Sequence, residues 1–322
     1  MKNKSRDRSI TLGEYGHQII HQNVQRFIEQ EKDVLNDQDP EALHRMRVGM
    51  RRLRTAIQVF SPAIALPDAV SDAAIGKIAK RLGETRDLDV LQQSLINDYQ
   101  PLLQKSERSK LKDVLQQLRQ QRTPSFLRLQ KTLHGDRYPE LKHSLQAWLA
   151  HPNYTEIGNL RVLQVLPDLL LPFICSLLLH PGWLLGTTAE AGGLTLMPLE
   201  DEQGLNQQLQ EGSHLLHDLR KRIKAVRYQA EFFSEFYDTD YAQRIEEFRA
   251  MQEILGQLQD QAVLSQFLER TLKSNLAQVL PSIAHQLQQD QATFWQRWQP
   301  LQQRYLDSEF RQSLRSLLTT PN

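Results

Sequence analysis

A single cysteine, Cys175, stands in the whole sequence, so an internal disulfide framework is excluded and a reducing compartment is expected. Fourteen glycines and fourteen prolines among 322 residues are few chain breakers. Aromatic residues are 7% of the chain and no run of alternating β-branched residues occurs, which argues against a β-sandwich or barrel. Net charge is nearly absent too. Lys and Arg number 39 against 38 Asp and Glu, leaving +1, so no global field gathers a polyanion and any charge-based function must come from local segregation. The N-terminal MKNKSRDRSI has no apolar run after it, so no secretory signal is expected. The most hydrophobic window, residues 162–179, is interrupted by Pro167, Asp168 and Pro172 and closed by Pro181-Gly182. That is short and broken for a membrane span, and a pair of buried helices in a soluble, cytoplasmic protein with no membrane partner is the expectation.

What the sequence does have is apolar residues at three- and four-residue spacing almost throughout, the mark of an all-α protein. Helices are predicted over 11–35, 40–60, 68–96, 101–121, 124–133, 139–150, 156–179, 201–236, 240–272 and 276–318. Asp39-Pro40 supplies an N-cap followed by proline at the first helical position, and Thr123-Pro124 repeats the pattern. The Gly-rich stretch 181–202 reads as a linker, with Trp183 to pack it onto the body, between a first half at 9–180 and a second at 203–316.

Internal repetition is the most informative feature. Residues 43–54 read LHRMRVGMRRLR and residues 216–227 read LHDLRKRIKAVR. At an offset of 173, Leu43, His44, Arg47 and Arg54 recur as Leu216, His217, Arg220 and Arg227, and Arg51 becomes Lys224. The same offset aligns LGETRDLDVL (82–91) with LGQLQDQAVL (255–264). Two separate motifs sharing one offset indicate a duplicated helical unit and an expected pseudo-twofold arrangement.

At about 100° per residue, His44, Arg47, Arg51 and Arg54 fall in one stripe, opposite Leu43, Met46, Met50, Leu53, Ile57 and Phe60. His217, Arg220, Lys224 and Arg227 form the matching stripe, opposite Leu216, Leu219, Ile223, Val226, Ala230 and Phe233. Like charges at these spacings repel by a few tenths of a kcal/mol per pair. An ordinary solvated face would intersperse acids, yet no acidic residue lies between Ala42 and Pro67, and only Asp218 between Ser213 and Ala230. An external anion relieves such repulsion. Four contacts over ten residues cover roughly 15 Å, suiting a chain of negative groups better than one phosphate. Arginine offers forked donors to phosphate oxygens, lysine a point charge, and a nearby anion favours protonated histidine.

The pattern H-x-x-R-x-x-x-[RK]-x-x-R, present twice and each time followed 38 residues on by L-G-x-x-x-D-x-x-V-L, resembles the CHAD domain, the conserved histidine α-helical domain, over about residues 9–316. The resemblance implies an all-α fold of two repeat-related helical bundles with pseudo-twofold symmetry around a central basic channel. It also implies non-catalytic binding of inorganic polyphosphate and association with polyphosphate granules. Matched by motif, the binding residues are His44, Arg47, Arg51, Arg54, His217, Arg220, Lys224 and Arg227, with Lys80, Arg86 and Lys221 in second rank. Gln259 stands where the first half has Arg86, and the helix preceding the second motif matches poorly because the linker occupies its place. Asp87 and Asp260 read as local pairing or as partners that orient a site arginine. Gly83 and Gly256 read as close helix–helix contacts.

Other constellations point elsewhere only weakly. His17 and His21 have the spacing of a zinc helix, but Gln18 stands where a metalloprotease needs glutamate, and a packing pair is expected. His217-Asp218 resembles the metal-binding dipeptide of HD phosphohydrolases, yet Arg45 occupies the position equivalent to Asp218. The paired Glu and Lys strands of triphosphate-tunnel enzymes, Walker loops, G-x-S-x-G and R-H-G are all missing. Cys175, within PFICSLLL, suits an inert core thiol. No enzyme activity, cofactor or metal is therefore expected. Nucleic-acid backbone binding is the alternative, disfavoured by a pI near 7.9 and by few stacking aromatics beside the stripes, Tyr228 being the main exception. A phosphohydrolase acting through either histidine would lack paired carboxylates.

Overall fold

The computed structural model describes residues 9–190, 193–197 and 202–321. It is helical apart from one small hairpin, as the apolar periodicity dictates, and the chain falls into two compact units. One unit comprises Met1–Pro101 with Leu111–Val165, the other Leu102–Lys110 with Leu166–Asn322.

The first unit opens with α1 (Leu12–Ile28), started by a capping box in which Thr11 and Glu14 satisfy each other's backbone N–H groups. The predicted helix over 11–35 breaks at Glu29-Gln30; α2 (Glu31–Asn36) follows and stops at Asp37, whose φ of 51° is left-handed. Next come α3 (Pro40–Phe60), with the Asp39 cap and Pro40 start read from the sequence, and α4 (Asp72–Ser94), capped by Ser71. The helical path continues through a π-turn at Leu95–Tyr99 and a 3₁₀ turn. α3 packs against both α1 and α4. The expected break at Thr123-Pro124 does not occur, because α5 (Lys105–His134) runs through the proline. Buried Leu118, Phe126, Leu129 and Leu133 keep its apolar face continuous across that point, outweighing the lost hydrogen bond. α6 (Arg137–Ala150) completes the unit.

The apolar stretch is likewise one helix, α7 (Val162–Leu178), rather than the expected pair, with Pro167 and Pro172 inside it. Residues 162–184 are long and apolar enough to cross a membrane by length and composition alone. Leu166, Leu170, Ile174 and Leu177 are buried in the protein, Asp168 and Pro172 are exposed, and Cys175 is half-buried. The described part of the stretch read as a linker is folded: a 3₁₀ turn at Pro181–Leu184 precedes the antiparallel strands β1 (Thr187–Glu190) and β2 (Gly193–Leu196), whose Thr187 pairs with Leu196. Four residues per strand are too few for periodicity to reveal.

In the second unit α8 (Glu202–Phe232) packs on α9 (Thr239–Leu272), which also carries α11 (Pro281–Leu306) after the single turn of α10 (Leu276–Val279). The single helix predicted over 276–318 is divided by Pro281 and again at Asp307, whose carboxylate accepts from Phe310 N–H at 2.7 Å to start α12 (Ser308–Thr319). Trp183 is 1% exposed and stacks on Trp298 and Tyr305, with ring centroids 5.3 and 5.4 Å away. Buried Gln302 donates to the carbonyls of Trp183 and Leu185 at 2.8 and 2.7 Å, satisfying backbone that no helix serves. Trp183→Ala is therefore expected to destabilise the protein by about 3–5 kcal/mol in urea unfolding, as for other buried tryptophans; a loss below about 1 kcal/mol contradicts this role for the segment.

Candidate anion-binding site

Each motif helix turns its apolar side inward as its sequence requires. Leu43, Met46, Met50, Leu53, Ile57 and Phe60 of α3 are buried, and so are Leu216, Leu219, Ile223, Val226 and Ala230 of α8 with Phe233 just beyond it. On the opposite side of α3, His44 is exposed and Arg47, Arg51 and Arg54 are half-buried. On α8, His217, Arg220, Lys224 and Arg227 are all half-buried. Within each unit the structure thus gathers the four predicted residues on one face.

Two glycines hold the duplicated arginines in equivalent places. A Cβ on Gly83 of α4 would lie 3.4 Å from Nε of Arg47, and one on Gly256 of α9 would lie 3.1 Å from Nη2 of Arg220. The expected helix–helix contact is therefore a contact of helix backbone with a site guanidinium. Asp87 of α4 sits 3.4 Å from Nη2 of Arg47. Its reading as purely local pairing gives way to the other alternative, a carboxylate that orients a site arginine.

The last arginine of each stripe is held more firmly. Arg54 donates through Nε and Nη2 to Asp72 of α4 at 2.5 and 2.6 Å, and Gln58 Nε2 donates to the same carboxylate at 2.9 Å. In the second unit the carboxylate and the amide exchange helices. Arg227 donates to Glu231 on its own helix at 2.6 Å and to Gln252 of α9 at 3.0 Å. Glu231 is the repeat-equivalent of Gln58. Asp72 and Glu231 went unread in the sequence because one belongs to a different helix and the other lies just past the motif. The bidentate pair holds the Arg54 guanidinium charged and draws the Asp72 carboxyl below its ordinary range.

The second-rank residues separate. Arg86 is buried, donating to Glu41 at 2.9 Å and to the Pro40 carbonyl at 3.3 Å, so it acts on His44 as a nearby charge. Its counterpart Gln259 is a neutral amide whose influence raises the His217 pKa instead of lowering it. Lys221 is exposed and reaches Asp218 at 3.2 Å, and that carboxylate also meets His180 at 3.2 Å. Asp218 is thereby engaged without any metal. Lys80 shares the face of α4 that carries Gly76 and Gly83, at the edge of a cleft. Tyr228 is buried with the Arg227 guanidinium 4.5 Å from its ring centroid, which removes the main stacking platform the sequence offered. His17 and His21 stack at 6.2 Å, and His17 Nε2 meets the Leu149 carbonyl at 2.9 Å, as a packing pair should. Among the described residues no group of three or more His, Cys, Asp or Glu is arranged to hold a metal.

Both histidines sit below their ordinary pKa. Desolvation is the main cause in each; the charges of Arg86, Arg51 and Arg47 add to it at His44, and those of Lys221, Arg220 and Lys224 at His217. Without an anion both rings are therefore neutral at pH 7. Because the folded protein resists protonation at groups that the unfolded chain protonates near 6.5, stability contributed here is present above that pH and is lost as pH falls below it. NMR titration of the free protein is expected to give midpoints below 6.5 for both histidines; a midpoint above 6.5 contradicts the cationic surroundings described.

The profile of the CHAD domain matches residues 18–269. No curated protein matches the sequence. Two solved structures share its fold. The crystal structure of the CHAD domain from the plant Ricinus communis has a TM-score of 0.63 at 22% identity, covering 100% of this chain and 97% of its own. PptA from Streptomyces chartreusis has a TM-score of 0.60 at 13% identity, covering 96% of this chain and 99% of its own. With its duplicated helix motif inside the matched region, this chain belongs to the CHAD domain family.

Proposed function

We propose that this protein binds inorganic polyphosphate without catalysis, through the cationic faces of α3 and α8, and that it resides in the cytoplasm on polyphosphate granules. The observation that carries the reading is the repetition itself. Twice, a histidine and three cations at helical spacing share one face, with an arginine of each set laid over a glycine of the following helix. A single basic helix has a bland explanation as a solvated face. The same costly arrangement built twice, from equivalent residues, calls for a ligand that both copies serve.

The ligand class follows from the donors. Guanidinium groups match phosphate oxygens with forked hydrogen bonds, and a linear polyanion meets several of them in succession along the helix. Tyr228, the main aromatic beside the stripes, is buried under Arg227 and offers no face to a nucleobase. Neutral histidines complete the set. An arriving phosphate raises their pKa, so binding takes up protons and tightens as pH falls from 7.5 towards 5.5.

Retention of the full-length protein on long-chain polyphosphate tests this. Arg47→Glu with Arg51→Glu on α3, and Arg220→Glu with Lys224→Glu on α8, leave the Arg54–Asp72 and Arg227–Glu231 pairs intact. Each pair of changes is expected to weaken binding at least about tenfold with helicity preserved, since two phosphate contacts become repulsions. Single-stranded and duplex nucleic acid at equal phosphate concentration should fail to displace the polymer. Unchanged retention in both variants, or ready displacement by nucleic acid, overturns the assignment.

A further inference from the structure

One cavity of the first unit lies beside the motif stripe. It is a cleft of about 1050 Å³ between the N-terminal half of α4, the C-terminal end of α5 and the start of α6. Lys77 and Lys80 enter it from α4, Arg128 and Lys131 from α5, and Arg137 from α6. Among the described residues none of these five has a carboxylate within 4.0 Å, whereas Arg81, also in the lining, is paired with Glu84 at 2.7 Å. Asp68, Asp136 and Glu140 also line the cleft, three acids against the five unpaired cations. Lys77 with Lys80, and Arg128 with Lys131, are like charges three residues apart on a helix. That is the unfavourable spacing seen on the motif helices, here turned towards a cavity.

The cleft adjoins the end of the α3 stripe. The Arg54 guanidinium lies over Gly76 of α4, its Cζ 3.7 Å from where a Cβ would stand. Gly76 is followed directly by Lys77, and Ala73, Ala74 and Ser71 on the same helix turns line the cleft. No side chain therefore stands at position 76 between Arg54 and the lysines. A chain of phosphates leaving Arg54 meets Lys77 and Lys80 as its next cations. The apolar part of the lining comes from residues such as Ala69, Ala73 and Ile78, with no exposed aromatic ring, so the cleft suits a phosphate chain and not a nucleotide base.

We propose that this cleft is a second polyphosphate-binding segment, which takes the part of a long chain that runs past Arg54 across α4. The proposal rests on the reading of the stripes as polyphosphate-binding and adds to it a dependence on chain length. Short chains are held by the motif residues; long ones gain the α4–α5–α6 cations as well.

Lysine acylation of the full-length protein, read residue by residue by mass spectrometry, separates the two ideas. Long-chain polyphosphate is expected to protect Lys77 and Lys131 along with Lys224 of the stripe, while tripolyphosphate leaves both of these cleft lysines reactive. Protection of Lys224 without the cleft lysines overturns the cleft alone; protection of neither overturns the polyphosphate reading and the cleft with it. A variant with Lys77, Arg128 and Lys131 all changed to Ala removes only exposed side chains outside the motif set and should keep its fold. Its affinity for long-chain polyphosphate is expected to fall at least about tenfold, with a shallower salt dependence, while tripolyphosphate affinity stays within about twofold. Unchanged long-chain affinity, or equal losses for both ligands, contradicts the proposal.

Discussion

Three guanidinium groups on one face of α3 repel one another, and the protein keeps them there by drawing carboxylates from α4 and by leaving a glycine where Arg47 crosses it. Most of what surrounds the site follows from that constraint. Asp72 anchors the far arginine, Asp87 steadies the near one, and Glu41 neutralises the buried Arg86 beneath the histidine. The second unit meets the same demand with different residues, exchanging acid and amide between helices at Arg227 and substituting Gln259 for Arg86. Conformations of long side chains carry entropy that a ligand would otherwise have to remove. Arginines already fixed by ion pairs and glycine contacts present their remaining N–H groups at less conformational cost.

The compensation is partial, and the histidines register it. Each is held below its ordinary pKa, by desolvation first and then by the cations beside it, so the local field stays positive despite the carboxylates. A face fully neutralised by its own acids would leave desolvation as the only cause lowering those pKa values. Near-zero net charge over the chain, +1, is thus compatible with two strongly cationic strips, because the balancing acids lie elsewhere on the surface or at the ends of the strips.

Both stripes could be read in the sequence because helix periodicity alone fixes which residues share a face. The boundaries of α3, including its Asp39 cap, were legible for the same reason. Features set by tertiary packing were not. Pro124, Pro167 and Pro172 lie inside helices because buried apolar faces carry the helix on through them. In the segment after α7 the Trp183 anchor was legible, but the hairpin and the Gln302 hydrogen bonds, which join residues more than a hundred positions apart, were not. Asp72 and the cleft cations of α5 and α6 are brought near the stripe only by helix packing. The i, i+3 cation pairs Lys77–Lys80 and Arg128–Lys131 were the local trace they left in the sequence.

The salt dependence of polyphosphate affinity tests the central claim most directly, because an extended polyanion held by several cations must release counterions in proportion to the contacts made. The account predicts that the logarithm of the association constant for long-chain polyphosphate falls linearly with the logarithm of salt concentration. The slope should be on the order of several units, and it should be reduced when either stripe is charge-reversed. An affinity indifferent to salt, or a slope unaltered by loss of Arg47 and Arg51 or of Arg220 and Lys224, would contradict it.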